Sequence, residues 1–442
     1  MSKKAIGPYF FEKNLIFCDF AKFPLAFFVK MCYIIARVRL SMTLQAAERT
    51  YRLMQMTHAR RVHRYHPHRQ HILASVFCWM RKNAVLCVAI AAALSTSLIV
   101  PPDAAYLDYF DLKTLSCLFC TLAVVCALKN IRFFTILAHR IVKATGNIRT
   151  AVLSLVMITF IGSMLIANDM ALLTFLPLGF FILGCTGKKE LMAFTFIMQN
   201  IAANLGGMLT PFGNPQNLYL YSHFNIPNGE FVAIMAPPFV LATVMIVAAC
   251  LIFVPSEKVT VAEGEDTRLP AARTALYLAL FALSIAIVFR TIPYWIGLIV
   301  IPAVLLFADR KALGQVDYPL LLTFVCFFIF AGNMGRIEPV RQLFSSLLDG
   351  GVMLFSALSC QCISNVPSAI LLSQFTDNYR ELLLGVNIGG AGTLIASLAS
   401  LITFREYMAH NPGKAGSYIA RFSAFNFTFL IILLAFCYFV VV

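Results

Sequence analysis

The chain has 442 residues, 60% of them apolar and only 12% charged, with 35 Lys and Arg against 20 Asp and Glu. A soluble domain carries about a quarter charged residues, so this composition excludes a chain solvated by water alone. A nucleic-acid footprint is excluded too: ten of the basic residues crowd between Arg37 and Lys82, and the others sit mostly in short loops, where Lys and Arg hold the cytoplasmic side of a membrane protein.

Residues 1–80 read as a basic arm, interfacial or disordered, with a cytoplasmic N-terminus. Its apolar stretch, 15–36, contains Asp19, Lys22 and Lys30, which makes it a poor span and a poor signal-peptide core. Five histidines between His58 and His71 are interleaved with arginines. A solvated arm near anionic lipid is the reading, with metal binding as the alternative. The 13 cysteines fall almost all inside apolar runs, including Cys117-x-x-Cys120 and Cys360-x-Cys362, and read as small buried hydrophobes.

The first convincing span is 83–101. Asp103 to Asp111 carries acids and no base and is read as an outside loop. Residues 114–128 return, and 131–146 is a short amphipathic surface helix. Residues 150–186 are apolar except at Asn168-Asp169, with basic flanks at both ends. Two spans or a re-entrant hairpin both satisfy that charge pattern, and the polar tip favours the hairpin. The span 191–221 is broken by Gly206-Gly207 and by the prolines of Thr210-Pro-Phe-Gly-Asn-Pro-Gln-Asn217, which no continuous helix passes. Residues 231–254 return inward.

A polar linker, 255–273, separates two halves, and 255–290 is taken as linker plus connecting helix between a first repeat (81–254) and a second (291–442). Spans follow at 291–308 and 318–333, then a short amphipathic helix at 336–349. A second hairpin, 351–378, has its knot at Ser364-Asn365-Val-Pro-Ser368. A broken span, 382–402, an inside loop, 405–416, and a last helix, 418–441, complete the chain.

Both halves run span, span, surface helix, polar-tipped hairpin, broken helix and last span. The pattern Asn-x-Gly-Gly-x-x-Thr recurs as Asn204 to Thr210 and as Asn387 to Thr393. The expected fold is therefore an all-α polytopic membrane protein built of inverted repeats, with two re-entrant hairpins and two broken helices. That arrangement holds a solute near the bilayer midplane. At a break, helix N-termini offer N–H groups to an anion and exposed carbonyls hold a cation. Gly206, Gly207, Gly389 and Gly390 allow close approach of the main chain, or serve helix packing. Thr174, Asn214, Asn217 and Ser368 add neutral polar groups. Asp169 is an acid deep in the membrane, which makes a coupling-ion role the default.

At these residues a family resemblance emerges. Ala167-Asn168-Asp169-Met-Ala-Leu-Leu-Thr174-Phe-Leu-Pro177 resembles the hairpin motif of the arsenite permease and sodium/proton antiporter branch of the ion transporter superfamily. Thr210-Pro-Phe-Gly-Asn214-Pro-Gln-Asn217 is similar to its broken-helix motif, and Ser364-Asn365-Val-Pro367 to the second hairpin motif, which reads Ser-Asn-Thr in citrate and dicarboxylate carriers. The likeness covers about residues 80–442. It implies that Asn168, Asp169, Asn204, Gly213, Ser364, Asn365, Asn387 and Gly392 bind ion or substrate, with Na⁺ at Asn168, Asp169 and Asn365. It also implies a transport domain moving as an elevator. The first tip, Asn-Asp rather than Ser-Asn-Thr, departs from the dicarboxylate pattern and suits H⁺ as readily as Na⁺.

The expected function is secondary transport, in the plasma membrane, of a small anion, inorganic or a carboxylate such as citrate, coupled to Na⁺ or H⁺. No cofactor is expected beyond the coupling ion. The expected partners are the lipid bilayer and the small ion or anion, with a homodimer as one option and no nucleic acid. Na⁺/H⁺ antiport and arsenite efflux are the alternatives within transport. A channel would show no dependence on a second ion's gradient. An intramembrane enzyme would need a nucleophile beside a base, whereas His139 and His223 fall at predicted membrane edges.

Overall fold

The computed structural model describes Met80 and residues 83–143, 145–258 and 269–441. The basic arm with its histidine cluster, segment 15–36 and the N-terminus lie outside the described residues. Among those described, regular structure is helical, apart from one isolated β-bridge between Asn147 and Lys258.

The first half holds α1 (Ala84–Ser97), α2 (Leu112–Asn130), α3 (Phe133–Lys143), α4 (Ile148–Ile166), α5 (Asn168–Cys185), α6 (Met192–Gly206), α7 (Pro215–His223) and α8 (Asn228–Phe253). The rest follows as α9 (Ala271–Val288), α10 (Tyr294–Ala308), α11 (Arg310–Gly314), α12 (Tyr318–Arg336), α13 (Glu338–Asp349), α14 (Val352–Ile363), α15 (Asn365–Leu372), α16 (Tyr379–Ile388), α17 (Leu398–His410) and α18 (Ala415–Phe436). Short polar side chains set several of the starts. Asp111 accepts the Thr114 N–H at 2.9 Å, Asn147 that of Thr150 at 2.8 Å, and Asp317 that of Leu320 at 3.0 Å. Each supplies an acceptor to an N–H that the first helical turn leaves without one.

Seven of these helices are long and apolar enough to cross a membrane. Their outer faces fit a lipid solvent: Ile252 is 73% exposed and Phe439 81%, which water would not tolerate as a continuous apolar surface. With lipid outside, association rests on close packing rather than on burial of apolar area. Gly385 and Gly389 show how. Gly385 lies on α16 and Gly389 just past its end, one turn apart, and a methyl group would fall 2.4 Å from the Met353 carbonyl oxygen at the first or 2.8 Å from Ala357 Cα of α14 at the second.

α1 packs on α12, and α2 packs on α9 and α10. Among the hairpins and broken helices, α4, α5, α6 and α17 pack together, as do α14, α15 and α16, with α15 also packed on α12 and α7 on α2. Outside the helices, Arg336 forms a two-pronged ion pair with Asp103, its shorter arm 2.6 Å, so the α1–α2 loop is fastened to the end of α12. The Arg336 hydrogen bond holds the Asp103 carboxyl below its usual range.

Several expected boundaries move. The segment expected as an inside loop, 405–416, is helical through His410, so the turn narrows to a few residues before α18. The second break is wider than its motif, spanning 389–397. The amphipathic segment at 336–349 is helix α13, bent 118° from α14, with Val340, Phe344 and Leu348 forming its buried stripe.

Candidate functional site

The two hairpin tips share one construction. Only Ala167 separates α4 from α5, and only Ser364 separates α14 from α15. Ala167 sits at φ 64°, ψ 149° and Ser364 at φ 78°, ψ 158°, outside the ordinary regions for a residue with a side chain. Such a conformation costs about 1–3 kcal/mol and persists where surrounding structure enforces it. After each joint comes an asparagine whose oxygen accepts the next backbone N–H: Asn168 from Asp169 and Asn365 from Val366, both at 2.9 Å. The side chain thus satisfies a donor at the restart of the helix.

Each tip is tied to an unwound stretch. Asn168 Nδ2 donates to Asn204 Oδ1, near the end of α6, at 3.2 Å. The Asn365 N–H donates to the Ala396 carbonyl at 2.9 Å, just before α17. Ser397, whose hydroxyl caps α17 through the Ala399 N–H, also donates to Asn204 Oδ1 at 2.8 Å. The first tip and the first break are thereby joined to the second break.

The breaks free backbone carbonyls, and one amide serves each. Asn217 Nδ2 lies 3.2 Å from the carbonyl oxygens of Gly207 and Met208 and 3.3 Å from that of Thr210. Gln361 Nε2 reaches Gly389 O at 2.8 Å and Ala391 O at 3.4 Å, while its Oε1 accepts the Thr393 N–H at 2.8 Å. Asn387 bridges the two, accepting from Asn214 Nδ2 at 3.3 Å and donating to Asn217 Oδ1 at 2.6 Å.

The paired glycines divide their work. The first of each pair packs on a hairpin arm: a methyl group on Gly206 would fall 2.3 Å from the Phe160 carbonyl oxygen of α4, and Gly389 abuts α14 as described. The second faces the polar centre. Gly207 lies against Asn214 Oδ1, while a methyl group on Gly390 would stand 3.2 Å from Asn365 Nδ2 and 3.9 Å from Asn204 Oδ1. Gly213 folds back on the Gly207 carbonyl, and Gly392, at φ 134°, lies flat on the Gln361 amide.

Around this centre opens a cavity of about 1100 Å³ of empty space, the open solvent before it included. One wall is apolar, from α1 and α12, with Val85, Val88, Phe324 and Phe327. The other is polar, and four helices begin there: α5 with Asn168 and Asp169, α7 with Pro215 and Gln216, α15 with Asn365 and Val366, and α17 with Ser397 and Leu398. Helix N-termini carry partial positive charge, so four of them make the wall attractive to an anion. Asp169 is the single acid among the lining residues, and no Lys, Arg or His is among them.

Of the sequence-selected residues, Asn168, Asp169, Ser364 and Asn365 line the cavity directly. Asn204, Asn214, Asn217, Asn387, Thr393 and the glycines build its floor through the contacts above. Thr210 holds the first break to α4 through Met164 O at 2.7 Å. Thr174 and Ser368 stand apart: Thr174 bonds back to Met170 O within α5, and Ser368 pairs with Ser359 between the arms of the second hairpin. Three residues of the site went unselected: Gln361, Gln216 and Ser397. Gln361 carried a signal, a long amide in an apolar helix one turn before the tip. Ser397 had none, since its role depends on a partner 193 positions away.

Broken helices closing on a shared cavity within a lipid-exposed bundle fit a polytopic membrane transporter. Sequence comparison carries this further. A model of the citrate transporter family matches residues 72–378, and the chain belongs to that family. The match includes both hairpin tips and the first break. The chain is 32% identical over 328 residues, 73% of its length and 88% of the relative's, to a protein of Methanocaldococcus jannaschii named as an uncharacterized transporter. It is 28% identical over 285 residues, 62% of its length and 74% of the relative's, to the inner membrane protein YbiR of Escherichia coli.

Proposed function

We propose that the protein is a secondary active transporter of a small carboxylate anion, coupled to H⁺ or Na⁺, in the plasma membrane. The carrying observation is the set of four helix N-termini opening on one cavity whose lining holds no basic side chain. An anion is then held by oriented N–H groups and neutral amides, which attract it without the tight pairing that an arginine would impose. Asp169 opposes that attraction. A proton or Na⁺ at Asp169 removes the repulsion, so anion and cation bind more tightly together than apart, which is the requirement for coupled uptake. Citrate and succinate are the first solutes to test, given the family.

The apolar lining from α1 and α12, set across the cavity from both hairpin tips, supports an elevator reading. The hairpins and broken helices move as one body against the apolar wall of α1 and α12, with the tips entering from opposite faces as inverted repeats. Reconstitution tests the proposal: proteoliposomes with imposed pH or Na⁺ gradients should accumulate labelled citrate or succinate, and an uptake that ignores both gradients would overturn the coupling. One observation favours a second reading, Na⁺/H⁺ antiport: the one acid of the cavity sits at a hairpin tip. That reading expects Na⁺-driven proton movement with no organic anion present.

A further inference from the structure

The two breaks are held in different ways. Asn217, which serves the first, belongs to α7, part of the same broken helix. Gln361, which serves the second, comes from α14, an arm of the hairpin. Around Gln361 the contacts are dense. Besides its own bonds to Gly389, Ala391 and Thr393, its carbonyl accepts the Thr393 hydroxyl at 3.1 Å, and Ser364 Oγ donates to Ala396 O at 3.3 Å. A side chain at Gly392 would collide with the amide, at 2.2 Å from its oxygen. The amide is thus enclosed by the loop that it organises. Yet Gln361 does not itself line the cavity, whereas Asn365, one turn later, and Ser397, at the far end of the loop, both do.

We propose that Gln361 is a positioning residue that makes the second hairpin tip and the second break one rigid unit, so that Asn365 and the N-terminus of α17 meet the substrate at a fixed spacing. The Nε2 group also donates to Ala357 O of its own helix at 2.9 Å, so without the amide two backbone groups of the loop, the Gly389 carbonyl and the Thr393 N–H, lose their close partner at once. Each lost bond weakens closure of the loop, whereas the carbonyls of the first break keep their own bonds from Asn217. The inference rests on the cavity being the substrate site, but its main readout does not.

Gln361→Met keeps the length of the side chain and removes its hydrogen-bonding atoms. Hydrogen–deuterium exchange on the purified full chain, with no solute added, should speed up about tenfold or more across residues 389–396 and stay at the wild-type rate across 207–214. Equal speeding at both breaks would mean general loosening, and no change at either would mean that the amide holds nothing; both overturn the proposal. In proteoliposomes with labelled citrate, the same variant should raise KM about fivefold or more with kcat within about twofold, because the ligand must then order the loop itself. An unchanged KM also overturns it. Should wild-type protein move no citrate, the substrate reading fails and the exchange experiment alone decides. If the Met variant does not fold, Gln361→Glu is measured in its place. That variant keeps the acceptor for the Thr393 N–H but sets a carboxylate against the Gly389 and Ala391 carbonyls, and the same local speeding is expected.

Discussion

Asn387 Nδ2 donates to Asn217 Oδ1 at 2.6 Å, so the helices that flank the two breaks, far apart in sequence, are hydrogen-bonded to each other. Asn217 also covers three carbonyl oxygens of the first break, and it has no exposure to solvent. Asn217→Ala should therefore leave several buried groups without partners, at about 1–3 kcal/mol for each orphaned group. The expected outcome is a clear fall in Tm in detergent together with loss of uptake. Wild-type Tm would show that the break closes without the amide.

Asp169→Asn tests the charge argument. The amide fits the same space and cannot take up a proton or hold Na⁺ by charge. Uptake driven by the coupling gradient should fall at least about tenfold, while binding of the anion, followed by ligand-dependent thermal stabilisation, persists or improves because the repulsion is gone. Gradient-driven uptake at the wild-type level would remove Asp169 from the mechanism.

Gly206→Ala and Gly390→Ala should separate packing from binding. The first forces a methyl group to 2.3 Å from a backbone oxygen of α4, which cannot move alone. Destabilisation of about 1–3 kcal/mol, read as lowered Tm and yield, is expected. The second meets the amide of Asn365 at 3.2 Å, a contact that a small shift relieves. Gly390→Ala should fold normally and transport poorly. A normal KM in that variant would place Asn365 outside the substrate's reach.

The Asp103–Arg336 pair sits at the end of α12, with Asp103 in the α1–α2 loop, and is exposed. Because the Asp103 pKa is lowered in the folded chain from 3.8, its contribution is present at neutral pH and lost as the pH falls through the lowered value. Asp103→Asn should lower Tm slightly at pH 7, and the gap from wild type should narrow as the pH falls below the ordinary carboxylate range. A gap that is constant with pH would mean that the ion pair contributes nothing.

Much of the site was legible because polar residues are conspicuous in an apolar chain. Asn168 and Asn365 interrupt long hydrophobic runs, and the doubled Asn-x-Gly-Gly-x-x-Thr marks both breaks. The roles within each motif were not legible. Gly206 and Gly207 are adjacent and chemically identical, yet one packs on α4 and the other faces the polar centre, because successive helical positions point in directions about 100° apart. Thr174 and Ser368 looked like site residues by type, and their hydroxyls are used within their own hairpins.

By itself the sequence determined the solvent, the helical class and the places where helices must stop, since these follow from apolar length, from proline and glycine, and from short polar caps, all local properties. Only the tertiary structure decided that four of those helix starts open on one cavity, that Asn387 binds Asn217, and that Gln361 holds the second break. Such pairings depend on which faces of distant helices meet, and a neutral amide in an apolar run reads the same whichever way it turns.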